Sequence, residues 1–210
     1  MTSLFVCGTD TGVGKTIITG LLAKTFIDEG YSVITQKWVQ TGSKGFPQDI
    51  ATHLKLMGKS KKYVDRLMDL VCPYVFKYPA SPHLSAKLER KKIEVRKIKK
   101  AYKKLCDIFD IVIVEGVGGA LVPLNDKTLL LDVVKELKIP VVLVVGNKLG
   151  AINHSLLTAE AIKKRGLKIV GVVFNEMERS GRKIKKDNAD IVMRCLGLKG
   201  PVILPYSKNL

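Results

Sequence analysis

The sequence predicts a single-domain α/β protein with three layers, in which helices cover both faces of a mostly parallel central sheet. Segments with strand character and segments with helix character alternate along the whole chain. The strand segments are continuous Val- and Ile-rich runs, such as Ile111–Val114 and Val141–Val145, which are typical of parallel strands buried on both faces. No repeat, low-complexity stretch or linker divides the 210 residues, so we expect one domain over residues 1–210.

Each element is predicted from its apolar spacing and its end signals. We predict strands at Leu4–Gly8, Tyr31–Lys37, Phe109–Val114, Val141–Val145, Ile169–Asn175 and Val202–Leu204. We predict helices at Lys15–Glu29, Pro47–Met57, Ser85–Asp107, Leu129–Leu137, Ile152–Arg165 and Arg182–Leu196. The first helix has apolar residues at a helical period and stops at Gly30, while Gly58 and Gly166 stop the second and fifth. The third is predicted to be long and amphipathic.

Composition excludes several classes of protein. Hydrophobic residues make up 46% of the chain, too many for a disordered one. The apolar runs are far shorter than the roughly 18 residues of a membrane span, and the first residues lack the basic region of a signal peptide. The cysteines are scattered, which predicts reduced thiols in a cytoplasmic protein rather than a zinc or disulfide framework. His53, His83 and His154 have no metal-ligand spacing.

The charge is strongly positive, with 36 Lys+Arg against 19 Asp+Glu and a formal net charge of +17. Ten basic residues fall between Lys87 and Lys104, and a second group lies within 179–186. Both groups are rich in Lys, and Tyr102 is the one aromatic residue among them, so they lack stacking platforms for bases. We therefore predict a solvated basic surface with no nucleic-acid partner.

A glycine-rich loop, Gly8-Thr-Asp-Thr-Gly-Val-Gly-Lys15-Thr16, lies directly between the first predicted strand and the first predicted helix. Glycines let the backbone curl so that N–H groups point at an anion, and the helix adds the positive end of its dipole. Lys15 is expected to reach the β- and γ-phosphates, and the Thr16 hydroxyl to bind Mg²⁺. Five residues rather than the standard four separate the first glycine from Gly14-Lys15. The loop predicts phosphate binding.

Polar residues follow three other predicted strands. Glu115 follows a buried strand and precedes Gly116-Val-Gly118, and a carboxylate there suits a hard cation such as Mg²⁺. Lys37 ends the second strand, where a second ammonium would neutralise charge on a transferring phosphate. Asn175 ends another strand, where its amide could read a base edge. Ligands of doubly wound sheets bind beyond these strand ends, which predicts one shared site.

Taken together, five motifs in this order resemble dethiobiotin synthetase, a family of the P-loop NTPase superfamily. They are the loop of Gly8–Thr16, Lys37-x-Val-x-Thr41-Gly, Ser81-Pro-His-Leu, Val114-Glu-Gly-Val-Gly-Gly, and Gly146-x-Lys-Leu-Gly-x-Ile-Asn153-His. The resemblance runs from the N-terminus to about Asn175, with a weaker match at Leu204-Pro205-Tyr206. Trp38 stands where the family usually has proline, and Thr41 where serine is common.

The resemblance implies a ligase that makes dethiobiotin from 7,8-diaminononanoate (7,8-diaminopelargonate), CO₂ and ATP with Mg²⁺. It implies a carbamate on one amine, a mixed carbamic–phosphoric anhydride, and ring closure that releases phosphate, with ADP as the other product. It further implies a homodimer in which the turn beginning at Gly150 comes from the partner subunit to receive the substrate carboxylate, and it implies no membrane partner.

The resemblance also assigns roles to residues of this chain. Lys37 and Lys15 are the expected catalytic residues. Mg²⁺ is expected at Thr16, Asp49 and Glu115. The expected ATP-binding residues are Gly12, Val13, Gly14, Lys15, Thr16, Ile17, Asp49, Glu115, Gly116, Val117, Gly118, Asn175, Glu176, Leu204, Pro205 and Tyr206. The expected substrate-binding residues are Thr11, Thr41, Gly150, Ala151, Ile152 and Asn153.

The alternative hypothesis is an ATPase switch of the chromosome-partitioning or cell-division type (ParA/MinD-like), which shares the loop and the parallel sheet. Such switches usually carry an extra lysine early in the loop, where this chain has Thr9 and Asp10. The Lys37-x-Val and Ser81-Pro-His motifs are not expected in them either. The sequence therefore favours the ligase.

Overall fold

The computed structural model describes residues 2–177 and 181–207. The strands are β1 (Thr2–Gly8), β2 (Val33–Lys37), β3 (Val39–Gln40), β4 (Tyr74–Val75), β5 (Ile111–Gly119), β6 (Pro123–Asn125), β7 (Thr128–Leu129), β8 (Val141–Gly146), β9 (Ile169–Asn175) and β10 (Val202–Leu204). The helices are α1 (Lys15–Asp28), α2 (Gln48–Leu56), α3 (Met68–Val71), α4 (Pro82–Leu88), α5 (Val95–Cys106), α6 (Leu130–Leu137), α7 (Ala151–Lys163) and α8 (Arg182–Leu196). Two short 3₁₀ turns, Lys61–Tyr63 and Asp65–Leu67, precede α3.

The central sheet has the strand order β10-β9-β8-β1-β5-β2, and every neighbouring pair in it is parallel. All six carboxyl ends therefore lie along one edge. The chain leaves β1 toward β2 on one side and later adds β8, β9 and β10 on the other side. α/β proteins bind their ligands where the strand order reverses in this way, so the carboxyl end of β1 is the expected ligand site.

Helices cover both faces of this sheet, which confirms the predicted three-layer fold. Alternate β1 side chains point to opposite faces of the sheet. Val6 packs with Ile18 of α1, whereas Cys7 belongs to a second cluster that includes Ile98 of α5 and Ile162 of α7. Val and Ile dominate the buried strands, as parallel strands covered on both faces require. Within the described residues, no helix is long and apolar enough to cross a membrane.

The long helix predicted at Ser85–Asp107 is wrong, because the structure has α4 and α5 with a break between them. Arg90 adopts a left-handed backbone conformation with φ of 53°, which ends α4. The Glu89 carboxylate accepts the Lys77 N–H and ties the turn down, and Ile93 turns into the core. The signal was present in the sequence: the five-residue step from Leu88 to Ile93 departs from helical spacing.

Several short elements were not predicted. The pairs β3–β4 and β6–β7 form two small separate sheets, and α3 is a single turn. Strands of two or three residues leave no periodic signal in a sequence. Of these, β3 lies nearest the site, because it begins two residues after Lys37 and precedes α2, the helix that carries Asp49.

Candidate active site

The glycine-rich loop curls around the Lys15 side chain. Gly12 and Gly14 have φ values of 74° and 95°, a left-handed conformation that glycine adopts without steric cost. Lys15, the first residue of α1, is buried, and its Nζ donates to the Asp10 carbonyl oxygen at 2.8 Å. A Cβ on Gly8 would lie 2.9 Å from that Nζ, so the close approach requires glycine. The loop therefore presents an ammonium and a helix N-terminus to the same space.

Lys37, the last residue of β2, lies beside Glu115 within β5, because the register of the two strands pairs these residues. The Lys37 Nζ lies 2.7 Å from Glu115 Oε1, 2.7 Å from Asp49 Oδ2 and 3.0 Å from the Gly116 carbonyl oxygen. The Thr16 hydroxyl donates to the same Glu115 Oε1 at 3.0 Å. The structure thus brings together four side chains that the sequence placed on separate elements.

Burial and charge act against each other in this cluster. Burial raises the pKa of Glu115, but the Lys37 charge and the His53 hydrogen bond outweigh burial and hold that pKa at about 2. Burial lowers the pKa of Lys37, yet Glu115 and Asp49 more than compensate and leave it raised. For Lys15, burial and the Lys37 charge together lower the pKa. Glu115 and Lys37 therefore form an ion pair that persists across the neutral pH range.

One cleft of about 430 Å³ contains most of the predicted catalytic, metal and phosphate residues. Its lining includes Thr11, Gly12, Gly14, Lys15, Thr16, Ile17, Lys37, Thr41, Asp49, Glu115, Val117 and Gly118. Gln40 also lines it and was not predicted, although its side-chain oxygen accepts the Asp49 N–H at 3.2 Å and so fixes the start of α2. The cleft combines lysines, carboxylates, hydroxyls and a phosphate loop.

A second, smaller cavity of about 170 Å³ lies beyond Ile17. It is lined by the other predicted nucleotide residues, namely Asn175, Glu176, Leu204, Pro205 and Tyr206, together with Met177 and Ser207. Ile17 lines both spaces, so the small cavity and the cleft are neighbours separated by this side chain. The Asn175 amide donates to the Val13 carbonyl oxygen at 3.0 Å and lies where a Cβ of Gly14 would be, at 2.2 Å.

The predicted carboxylate site of Gly150–Asn153 lies on a different part of the protein surface from the cleft. Gly150 has a φ of 86° and begins α7, while Gly150, Ile152 and Asn153 line a separate cavity with residues of α8. None of the four residues lines the cleft that holds Lys37. Leu149 beside them is 82% exposed. Within one chain, the structure therefore does not join this turn to the rest of the site.

His53 also belongs to the cluster around Glu115, and its position there was not predicted from the sequence. It is fully buried on α2, and its Nε2 lies 2.7 Å from Glu115 Oε2. His53 follows Asp49 by four residues, which is one turn of the same helix, so both can reach one cluster. That spacing beside a predicted metal carboxylate was the signal available in the sequence.

The oxygen donors fit a magnesium ion by their chemistry. Thr16, Asp49 and Glu115 supply a hydroxyl and two carboxylates, which are hard ligands of the kind that Mg²⁺ takes together with water and nucleotide phosphates. Their oxygens already converge on a cation, since the Lys37 ammonium lies between the two carboxylates. In the described part of the chain, no group of three or more His, Cys, Asp or Glu side chains forms a metal cage of its own.

The fold and the glycine-rich loop of the site place the chain in the class of nucleotide-binding P-loop proteins. The AAA domain family model matches residues 2–210. An ATP-dependent dethiobiotin synthetase (BioD 2) of Pasteurella multocida is 46% identical over 143 residues, 68% of this chain and 67% of that relative. The synthetase of Chlorobaculum tepidum is 42% identical over 193 residues, 92% of this chain and 80% of that relative. The chain belongs to the dethiobiotin synthetase family of ligases, as its motifs predict.

The solved structure of a ParA family ATPase from Chlorobium tepidum is similar in fold, with a TM-score of 0.61. It is 14% identical, and the match covers 100% of this chain and 87% of that one. A likeness at this identity confirms the P-loop fold alone. It does not favour the switch hypothesis over the ligase.

Proposed function

We propose that this chain catalyses the ATP- and Mg²⁺-dependent carboxylation and ring closure of 7,8-diaminononanoate to dethiobiotin, releasing ADP and phosphate. The observation that carries the proposal is the position of Lys37. Its ammonium is buried at the end of β2, between two carboxylates and in one cleft with the Lys15 loop. The ATPase switches of the alternative hypothesis carry their extra lysine early in the loop, where this chain has Thr9 and Asp10, and not at the end of the second strand.

The proposed reaction has three steps. One substrate amine adds to CO₂ and loses a proton, which gives a carbamate anion. A carbamate oxygen attacks the γ-phosphorus of ATP, the bond to the bridging oxygen breaks, and ADP leaves with that electron pair. The second amine then attacks the carbonyl carbon of the mixed anhydride, loses a proton, and expels phosphate as the cyclic urea closes.

In these steps, the roles proposed for Lys37 and Lys15 are to neutralise the negative charges of the reacting groups. The carbamate is an anion that must approach a triphosphate, and the two ammonium groups offset this repulsion without having to reorient during the reaction. Their buried positions strengthen the effect, because water does not screen them. Thr11 and Thr41 line the same cleft, where their hydroxyls are proposed to bind the diamine.

ATP is proposed to lie along the cleft with its phosphates on the loop of Gly12–Ile17 and beside Gly116–Gly118. Its base would occupy the small cavity of Asn175, Glu176 and Leu204–Tyr206. Thr16, Asp49 and Glu115 would hold Mg²⁺, which supplies charge neutralisation at the phosphates when bound.

The substrate carboxylate is proposed to bind at the N-terminus of α7 in a second subunit of a homodimer. The free N–H groups of a helix start favour an anion there. The exposed Leu149, Leu157 and Ile184 near this helix provide apolar surface that a second subunit could cover. The cytoplasmic location and the absence of a nucleic-acid partner remain predictions.

The direct test is to incubate the protein with the diamine, bicarbonate and MgATP and to detect dethiobiotin by mass spectrometry. We expect dethiobiotin, ADP and phosphate in equal amounts, and a rate of dethiobiotin formation lower by about 10²-fold or more from a Lys37→Ala control. ATP hydrolysis that proceeds at the same rate without the diamine, with no dethiobiotin formed, would instead support the switch hypothesis.

A further inference from the structure

The two carboxylate oxygens of Glu115 have different partners. Oε1 accepts hydrogen bonds from Lys37 and Thr16, both of which line the cleft. Oε2 points the other way and lies 2.7 Å from Nε2 of His53, a fully buried residue that does not line the cleft. His53 therefore contacts Oε2 on the side of Glu115 away from the cleft, while Oε1 faces the cleft in which the phosphate chemistry is proposed to take place.

The hydrogen bonding of His53 defines its tautomer. A carboxylate oxygen can only accept, so the Nε2 of His53 must donate and carries the proton. The other ring nitrogen, Nδ1, is buried and has no hydrogen-bond partner among the described residues. A proton on Nδ1 would bury an unpaired donor, which is costly, whereas an unpaired acceptor on a neutral ring costs less.

We propose that His53 is a positioning residue that fixes Glu115 through Oε2, so that Glu115 offers a single oxygen, Oε1, to the cation of the nucleotide complex. This inference rests on the proposed function for the role of Glu115 as a magnesium ligand. Mg²⁺ requires near-ideal octahedral geometry, which a carboxylate locked to one oxygen supports and a freely rotating carboxylate does not. Partners of this kind behind a metal ligand typically change metal affinity about 10–100-fold when they are removed.

The alternative is that His53 only fills the core between Ile50 and Leu54, which are its buried neighbours on α2. Two substitutions distinguish these roles. His53→Leu retains apolar volume and removes the donor, whereas His53→Gln retains an N–H at about the position of Nε2. A core role is served better by leucine, and a positioning role is served better by glutamine.

The first measurement is calorimetric titration of each variant with ADP, with and without Mg²⁺. We expect His53→Leu to bind Mg·ADP about tenfold more weakly than wild type and His53→Gln to stay within about threefold. ADP without Mg²⁺ should bind all three proteins equally. Equal Mg·ADP affinity in wild type and His53→Leu, or a loss in His53→Gln as large as in His53→Leu, would overturn the proposal.

The second measurement needs no variant that folds poorly. Nitrogen-15 NMR of the histidine-labelled, metal-free wild-type protein is expected to show the His53 ring protonated at Nε2 and bare at Nδ1. A ring without a proton on Nε2 would overturn the proposal. Neither measurement uses the diamine, so a protein that passes both and forms no dethiobiotin refutes the proposed function alone. A Glu115→Gln variant that binds Mg·ADP as well as wild type would instead remove Glu115 as the ligand and this inference with it.

Discussion

Replacing Lys37 with alanine is expected to lower turnover by about 10²-fold or more at saturating substrates, the scale of losing one preorganised charge donor. The Lys37 Nζ is within 2.7 Å of two carboxylate oxygens and beside the Lys15 loop, so its removal makes the cleft more negative where the carbamate and γ-phosphate must meet. A 10²-fold loss corresponds to about 2.7 kcal/mol of transition-state stabilisation.

The same substitution should destabilise the metal-free protein. Removing one partner of a buried ion pair costs about 3–5 kcal/mol, and we expect the lower end because Thr16 and His53 still donate to Glu115. The assay is dethiobiotin formation by mass spectrometry at saturating substrates, with chemical denaturation to measure the free energy of unfolding. Lys37→Arg is the matched control, since it keeps the positive charge and replaces the ammonium with a planar guanidinium. Near-normal turnover in folded Lys37→Ala would refute the catalytic role.

Four other outcomes are expected. Lys15→Ala should also lose about 10²-fold in turnover and should bind MgATP more weakly; unchanged ATP affinity would contradict its place at the phosphates. The folded pKa of Glu115, about 2, lies below the ordinary value of 4.5, so its contribution of roughly 3 kcal/mol is present above about pH 5 and lost as pH falls toward 2. The free energies of unfolding of metal-free wild type and Glu115→Gln should therefore converge as the pH falls through that range. A constant difference between the two proteins would argue against this contribution of Glu115. Mixing Lys37→Ala with Gly150→Val, each nearly inactive alone, should restore up to about a quarter of wild-type activity by random subunit pairing; no recovery despite subunit exchange would place the carboxylate site in the same chain. The basic surface should retain duplex DNA only weakly, and sub-micromolar binding that persists at about 200 mM salt would show a nucleic-acid role.

The parts of the site that depend on adjacent residues could be predicted from the sequence. The Gly8–Thr16 loop is local, because its glycines, its lysine and the following helix start are contiguous. The end of β2 at Lys37 could also be located, since a buried apolar run marks a parallel strand. The strand predicted at Phe109–Val114 ended too early, because β5 continues through Glu115 to Gly119. Knowing that Lys37 and Glu115 share one edge was enough to expect that they meet.

The parts that depend on packing were not predicted, because their signals in the sequence specify a spacing and not a contact partner. The hydrogen bond between His53 and Glu115 joins residues 62 positions apart, and no local pattern records it. The division of the Ser85–Asp107 segment into α4 and α5 depends on the burial of Ile93 and on the contact of Glu89 with Lys77. Lysine-rich segments have high helix propensity throughout, so propensity alone extends one helix across the break.

The contact of Asn175 with the phosphate loop links the two ends of the nucleotide site. One side chain lines the base cavity, donates to the Val13 carbonyl oxygen and lies where any side chain on Gly14 would have to go. With ATP bound as proposed, discrimination among bases and binding of the triphosphate are consequently not independent properties of this protein. Engineering that enlarges the base cavity at Asn175 to admit another nucleoside triphosphate would also release the loop, so a compensating support for Val13 would have to be built at the same time.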